Sequence, residues 1–218
     1  MNNPWKNLVK TNGEYIADCD KEFIPCFKKK LQGDYALKLN VTPGPFTGDL
    51  KNAKVYLLNL NPGYENNDIK FTKLYGKDLI KNLSQKFDKY PFFDLNPLYK
   101  GTGGYSYWNN KLSHFIEDVG LETTAKKVSV IEYFPYHSYK YKKVNCILPS
   151  QEYSFSVIRK AMADKKIIIL MRSVRIWYEA IPELEKYKNK YILNSPQNVK
   201  VSPKNLGSGD YKKIIAAL

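Results

Sequence analysis

Short, fully apolar runs alternate along this chain with longer stretches in which apolar residues recur every three or four positions. The short runs are residues 54–60, 127–134, 166–171 (KIIILM) and 191–193. Their length and β-branched content predict strands buried on both faces, as in a parallel sheet. The longer stretches predict helices over residues 21–31, 67–88, 105–119, 151–163, 173–181 and 210–217. Leu74, Leu79, Ile80 and Leu83 form the apolar stripe of the second helix. Trp108, Leu112, Phe115, Ile116 and Val119 form that of the third, with Trp108 and Trp177 read as core. Gly120 is placed to cap the third helix, Ser150 to cap the fourth, and Pro182 to break the fifth.

Apolar strands alternating with helices predict one α/β domain, a three-layer α/β/α sandwich with a mostly parallel central sheet. The first 50 residues read as a helical and loop extension, with TPGPFTG at 42–48 as a loop. Right-handed crossovers would gather the loops after the strands, residues 61–70, 136–144, 172–174 and 194–204, on one rim. Ligands of open α/β sheets bind beyond that rim. The segment 54–63, KVYLLNLNPG, ends there in Asn61-Pro62-Gly63. Pro62 and Gly63 fix the backbone, so Asn61 can position a water or a substrate.

Charge changes this picture. The chain of 218 residues carries a formal net charge of +14, which favours a polyanionic partner, of which nucleic acid is the commonest. Tyrosine is abundant, and in 133–143 (YFPYHSYKYKK) it is interleaved with lysine, a composition suited to stacking on unpaired bases and contacting phosphates. Cys19, Cys26 and Cys146 are odd in number, and no CxxC occurs, so neither a disulfide framework nor a zinc or iron–sulfur site is expected. No run approaches membrane-spanning length. A cytoplasmic monomer without metal or cofactor is the expectation.

Taken together, the rim loops resemble the uracil-DNA glycosylase superfamily, nearest its single-strand-selective and mismatch-specific branches. The resemblance runs from about Val55 to the C-terminus. A strand followed by Asn59-Leu60-Asn61-Pro62-Gly63 is similar to the family's Gly-x-Asn-Pro-Gly, with Asn59 in place of the first glycine. It implies that Asn61 orients the attacking water, that Phe71 stacks on an extruded base, and that Pro62, Gly63 and Tyr64 line the substrate side. Glu132, three residues before Pro135, stands where the family reads the base edge with Asn. As a carboxylate it accepts hydrogen bonds and cannot donate them unless protonated, so it would disfavour uracil O4 or point elsewhere. Asn194 in Asn194-Ser195-Pro196-Gln197-Asn198 stands at the family's His, which stabilises the departing base. His137 would contact substrate. Ser195, Gln197, Asn198, Ser202, Lys204 and Asn205 would hold DNA phosphates.

The expectation is a DNA glycosylase-like protein that flips a damaged or modified base and hydrolyses its N-glycosidic bond. A non-catalytic nucleic-acid-binding module is the alternative, motivated by the changes at Glu132 and Asn194. A nucleoside hydrolase is a weaker third. Against these stand plainer readings: Asn-Pro-Gly as a turn, His137 bonded to backbone, Phe71 as a helix anchor, and Lys28-Lys29-Lys30 as a solvated face.

Overall fold

The computed structural model describes residues 1–65 and 67–218; the side chains of residues 71–73 also lie outside the described residues. In chain order the elements are β1 (Lys10–Thr11), β2 (Glu14–Tyr15), α1 (Ile24–Lys30), β3 (Phe46–Thr47), β4 (Val55–Asn59), α2 (Asp68–Leu83), α3 (Gly103–Lys111), α4 (Ser113–Val119), α5 (Leu121–Lys127), β5 (Val128–Glu132), α6 (Pro149–Ala163), β6 (Ile167–Leu170), α7 (Val174–Ala180), β7 (Lys190–Ile192), α8 (Pro203–Leu206) and α9 (Ser208–Ile215). β1 and β2 form a small antiparallel ribbon.

The main sheet has the order β3-β5-β4-β6-β7. Its last four strands are parallel, and β3 runs antiparallel along the β5 edge. Val55 pairs with Val128 on one side and Ile167 on the other, so β4 is central. Every residue of β4, β5 and β6 is buried, as their unbroken apolar runs require.

Strand alternation divides the core. Tyr56, Leu58, Ile131, Ile168 and Leu170 face one apolar cluster, shared with Phe27 of α1, Phe155 and Ile158 of α6, and Trp177 of α7. Val55, Leu57, Val128, Val130, Ile167 and Ile169 face the other, shared with Trp108, Leu112 and Phe115 and with Tyr211 and Ile214 of α9. Each fully buried Leu, Ile or Val contributes about 1.5–3 kcal/mol.

Three local differences from the sequence expectation have physical causes. The stretch 105–119 is two helices, because Leu112 adopts φ −107°, ψ 13° and breaks the ladder. Gly120 does end the second, with φ 85°. The loop at 42–48 contains β3. Pro43 and Pro45 lead into a strand at the sheet edge, where a missing N–H is tolerated. Gly48 beside it has φ 107°, and a Cβ there would meet Ser129 Oγ at 2.5 Å and Val128 O at 2.8 Å. Ser150 does not cap α6. Leu148 occupies the N-cap, and Ser150 lies buried in the first turn.

Ser150 serves Asp20 instead. Its N–H donates to Asp20 Oδ1 at 3.0 Å and its hydroxyl to Oδ2 at 2.6 Å. The Tyr136 hydroxyl donates to Oδ2 at 2.7 Å. Asp20 is fully buried, and Trp5, Ile24, Phe27 and Phe46 are core residues, so the first 50 residues are built into the domain. Among the described residues no helix is long and apolar enough to cross a membrane.

Asp20→Ala leaves three buried donors without an acceptor. The expected cost is about 3–5 kcal/mol in urea unfolding. A loss under about 1 kcal/mol would mean these donors find other partners.

Candidate functional site

Because β4, β5, β6 and β7 run the same way, the loops after Asn59, Glu132, Leu170 and Ile192 share one rim. Asn59 and Glu132 are register neighbours at the ends of β4 and β5. Asn59 Nδ2 donates to Glu132 Oε1 at 3.0 Å. The two residues are 7% and 6% exposed. Among the described residues, Asn59 Oδ1, Glu132 Oε2 and the Nε of Arg172, just past β6, are buried polar atoms without a hydrogen-bond partner. The β4–β5 register therefore sets an acid and an amide side by side, and the Arg172 guanidinium lies near enough to Glu132 to favour its ionised form. Trp177 Nε1 donates to the Asn59 carbonyl at 3.1 Å and holds this strand end.

Burial pushes the Glu132 carboxyl up to about 8, although Asn59 and Arg172 pull it down; Asp94 pushes the same way as burial. At neutral pH the group is a carboxylic acid, able to donate through Oε2 while Oε1 accepts from Asn59. This is the protonated case, in which a carboxyl group at this position can donate as well as accept. Asp94, partly exposed but ringed by protein, is likewise pushed up to about 7, chiefly by burial, with the Thr47 hydroxyl opposing. The first turn of α3 sits directly on carboxylates. A Cβ at Gly104 would fall 2.4 Å from Asp94 Oδ1, and one at Gly103 would fall 3.2 Å from Glu65 Oε2.

Asn61 lies beside this row. Its Nδ2 donates to Ser138 Oγ at 3.0 Å and to the Pro62 carbonyl at 3.1 Å. The Ser138 hydroxyl donates in turn to the Lys140 carbonyl at 2.9 Å, which fixes the orientation. Asn61 Oδ1 accepts no hydrogen bond among the described residues and remains available to an incoming donor. His137 bridges two loops, with Nδ1 2.6 Å from the Gly63 carbonyl and Nε2 3.0 Å from that of Thr42. Burial holds its imidazole below the ordinary value, against the pull of both carbonyls and Asp68. Tyr64 packs edge-on against Tyr139, with ring centroids 5.0 Å apart. Phe71 falls in α2, and its side chain lies outside the described residues.

The loop after β7 divides its residues between shape and surface. Asn205 Oδ1 accepts from the Ser195 N–H at 2.8 Å, and its Nδ2 donates to the carbonyls of Asn198 at 2.7 Å and Lys200 at 2.9 Å. Ser202 caps α8, accepting from the Asn205 N–H. Both side chains are spent on holding the loop. Asn194 is tied by its N–H to the Asn205 carbonyl, and its side chain is exposed, as are Gln197, Asn198 and Lys204. One strand separates β4 from β7, so the Asn61 and Asn194 turns share the rim with about 10 Å between strand axes.

A cationic corner joins the two turns. Burial, together with Arg172 and Lys200, holds the Lys111 amine below its ordinary value. None of these three cations makes an ion pair among the described residues. The Lys111 Nζ stands 5.4 Å over the Tyr107 ring. Burial raises the Tyr107 phenol, with Arg172 opposing and Glu132 adding to the rise. Among the described residues no group of three or more His, Cys, Asp or Glu side chains is placed to hold a metal ion. Two surface hollows lie elsewhere, one beside Asp78, Lys81 and Phe87 and one beside Lys190, Tyr191 and Lys213.

No family model, curated protein or solved structure matches this chain. Sequence reasoning passed over Arg172, Asp94, Tyr107 and Ser138 as site residues. Arg172 had a signal, a cation directly after a buried strand. Asp94 and Tyr107 had only Gly103-Gly104, which marks a close approach without saying to what.

Glu132 keeps its proton in the fold up to pH about 8, whereas in the unfolded chain it ionises near 4.3. The stability tied to that proton is complete below pH ~4 and is lost as pH rises through about 8, at up to ~1.4 kcal/mol per pH unit. Glu132→Gln should flatten the pH dependence of urea unfolding between about 5 and 8 by close to one proton. An unchanged slope would mean that Glu132 is ionised in the fold.

Proposed function

We propose that this chain is a DNA glycosylase-like protein, similar to uracil-DNA glycosylases, which takes a flipped base at the strand-end rim and hydrolyses its N-glycosidic bond. The observation that carries this reading is the buried row of Arg172 Nε, Asn59 Oδ1 and Glu132 Oε2, all unpaired, beside an Asn61 whose oxygen is free to accept. With Glu132 neutral, the row reads donor, acceptor, donor. Its complement is an edge that reads carbonyl, N–H, carbonyl, as on an imide-type pyrimidine. A site built to satisfy such an edge rejects bases with an exocyclic amine, because the mismatch leaves buried groups unpaired.

The chemistry follows from the same residues. Breaking the bond leaves an oxocarbenium-like sugar and an anionic base. Asn61 Oδ1 accepts a hydrogen bond from the attacking water and aims its lone pair at the sugar, and the proton the water loses on forming the new C–O bond goes to the departing base anion. The donors of the row strengthen their bonds as charge grows on the base, which is differential stabilisation of the transition state. Arg172, Lys111 and Lys200, uncompensated by carboxylates, favour that anion and the neighbouring phosphates. Asn194 supplies at most one neutral amide donor.

Exposed, neutral Asn194 and the near-sealed state of Glu132 favour one other reading, a nucleic-acid-binding module on this fold without turnover.

Base release is measured as alkali-labile sites on single-stranded and duplex oligonucleotides carrying uracil, oxidised pyrimidines or deaminated purines. Asn61→Ala should lower release about a hundredfold or more without loss of fold. Release by the unmodified chain should fall above pH about 8 as Glu132 ionises, and Glu132→Gln should abolish that fall. Absence of release from every substrate, with steeply salt-dependent binding retained, would establish the binding module instead.

A further inference from the structure

We infer that Tyr64, Tyr139 and Lys38, extended by Tyr35 and Lys142, form a platform on which unpaired bases of single-stranded nucleic acid stack beside the strand-end site. It rests on the reading above only in taking nucleic acid as the partner, and it holds whether or not a base is released.

Three loops build the surface. The Asn-Pro-Gly turn supplies Tyr64, the exit from β5 supplies Tyr139, and the extension before β3 supplies Lys38. The Lys38 ammonium lies 4.6 Å from the Tyr139 ring centroid and 5.2 Å from that of Tyr64. The two rings meet edge to face at an interplanar angle of 87°. Tyr139 nevertheless remains 44% exposed. A cation against both rings and the exposure of Tyr139 make an aromatic surface whose side chains are ordered before a ligand arrives.

The surface continues laterally. Lys142 Nζ stands 5.8 Å over the ring of Tyr35, itself 37% exposed. Lys140 pairs with Asp34 at 2.8 Å, and its N–H donates to the Asp34 carbonyl at 2.9 Å. That double tie joins the loop of Tyr139 to the loop of Tyr35. The Lys38 N–H donates to the His137 carbonyl at 2.9 Å and binds both loops to the rim.

The chemistry of the occupant follows. Aromatic faces accept any base by stacking, and neighbouring lysines meet the backbone phosphates. Bases within a duplex present no free face, so the platform selects for unpaired strands. An excess of positive charge over the whole chain suits a polyanion rather than an apolar partner.

The test measures binding of a fluorescein-labelled dT15 strand and of a duplex of equal length to the full chain by anisotropy, at several salt concentrations. Tyr139→Ala should weaken dT15 binding about tenfold, leave duplex binding within about twofold, and leave the salt slope unchanged. Tyr139→Trp should restore dT15 affinity, with its fluorescence quenched on binding. Lys38→Ala, which removes both the cation and the order it imposes, should weaken dT15 binding and lower the salt slope by about one. Equal losses on single strand and duplex, or unchanged dT15 affinity in Tyr139→Ala, would overturn the platform. Retention of these effects with no base release would overturn only the glycosylase reading.

Discussion

The pairing of β4 with β5 on one side and β6 on the other governs this molecule. It fixes which residues end up adjacent at the carboxyl edge of the sheet, and Asn59, Glu132 and Arg172 have no other means of meeting. The register is held by apolar side chains on both faces, where a slip of one residue would exchange the two cores. The polar row thus sits on a foundation that the polar residues themselves do not supply. Three unpaired buried atoms would each cost about 1–3 kcal/mol elsewhere, and here that cost is carried by the hydrophobic layers beneath.

Burial also decides the protonation of the rim. Glu132 and Asp94 lie close enough to repel, and both are partly withdrawn from water, so both hold protons far above the usual carboxylate range. The same withdrawal leaves Arg172 facing an acid rather than an anion. The guanidinium instead adds its field to that on Lys111, which like Lys200 makes no ion pair among the described residues. A neutral row beside an uncompensated cationic corner is what a site needs if it is to hold a neutral edge and a growing negative charge in turn.

Much of the sheet was legible because buried parallel strands carry unbroken apolar runs. Residues 166–171 could be little else, and the Asn-Pro-Gly turn marked where β4 ends. The short edge strand was not legible, since two prolines conceal a pairing that involves two residues. Nor was α5: LETTAKK is mostly helix-forming residues, but seven positions are too few to show a helical apolar period, and its order comes from Ala125 and Thr124 in the core. At the site, Asn61 and Glu132 could be read as positions at strand ends. The protonation of Glu132 could not, because it depends on desolvation by residues distant in sequence. Asn205 shows the opposite limit: its residue type suits a phosphate contact, but a side chain with three backbone bonds has nothing left to offer.

Asp20 and Ser150 meet across 130 positions of chain. At a synthesis rate of roughly 5–20 residues per second, the leading segment emerges about 6–26 s before the helix that completes it. During that interval Trp5, Ile24 and Phe27 have no interior to enter. A nascent chain stalled between them would expose these apolar side chains, so the interior can close only after nearly three quarters of the chain has been made.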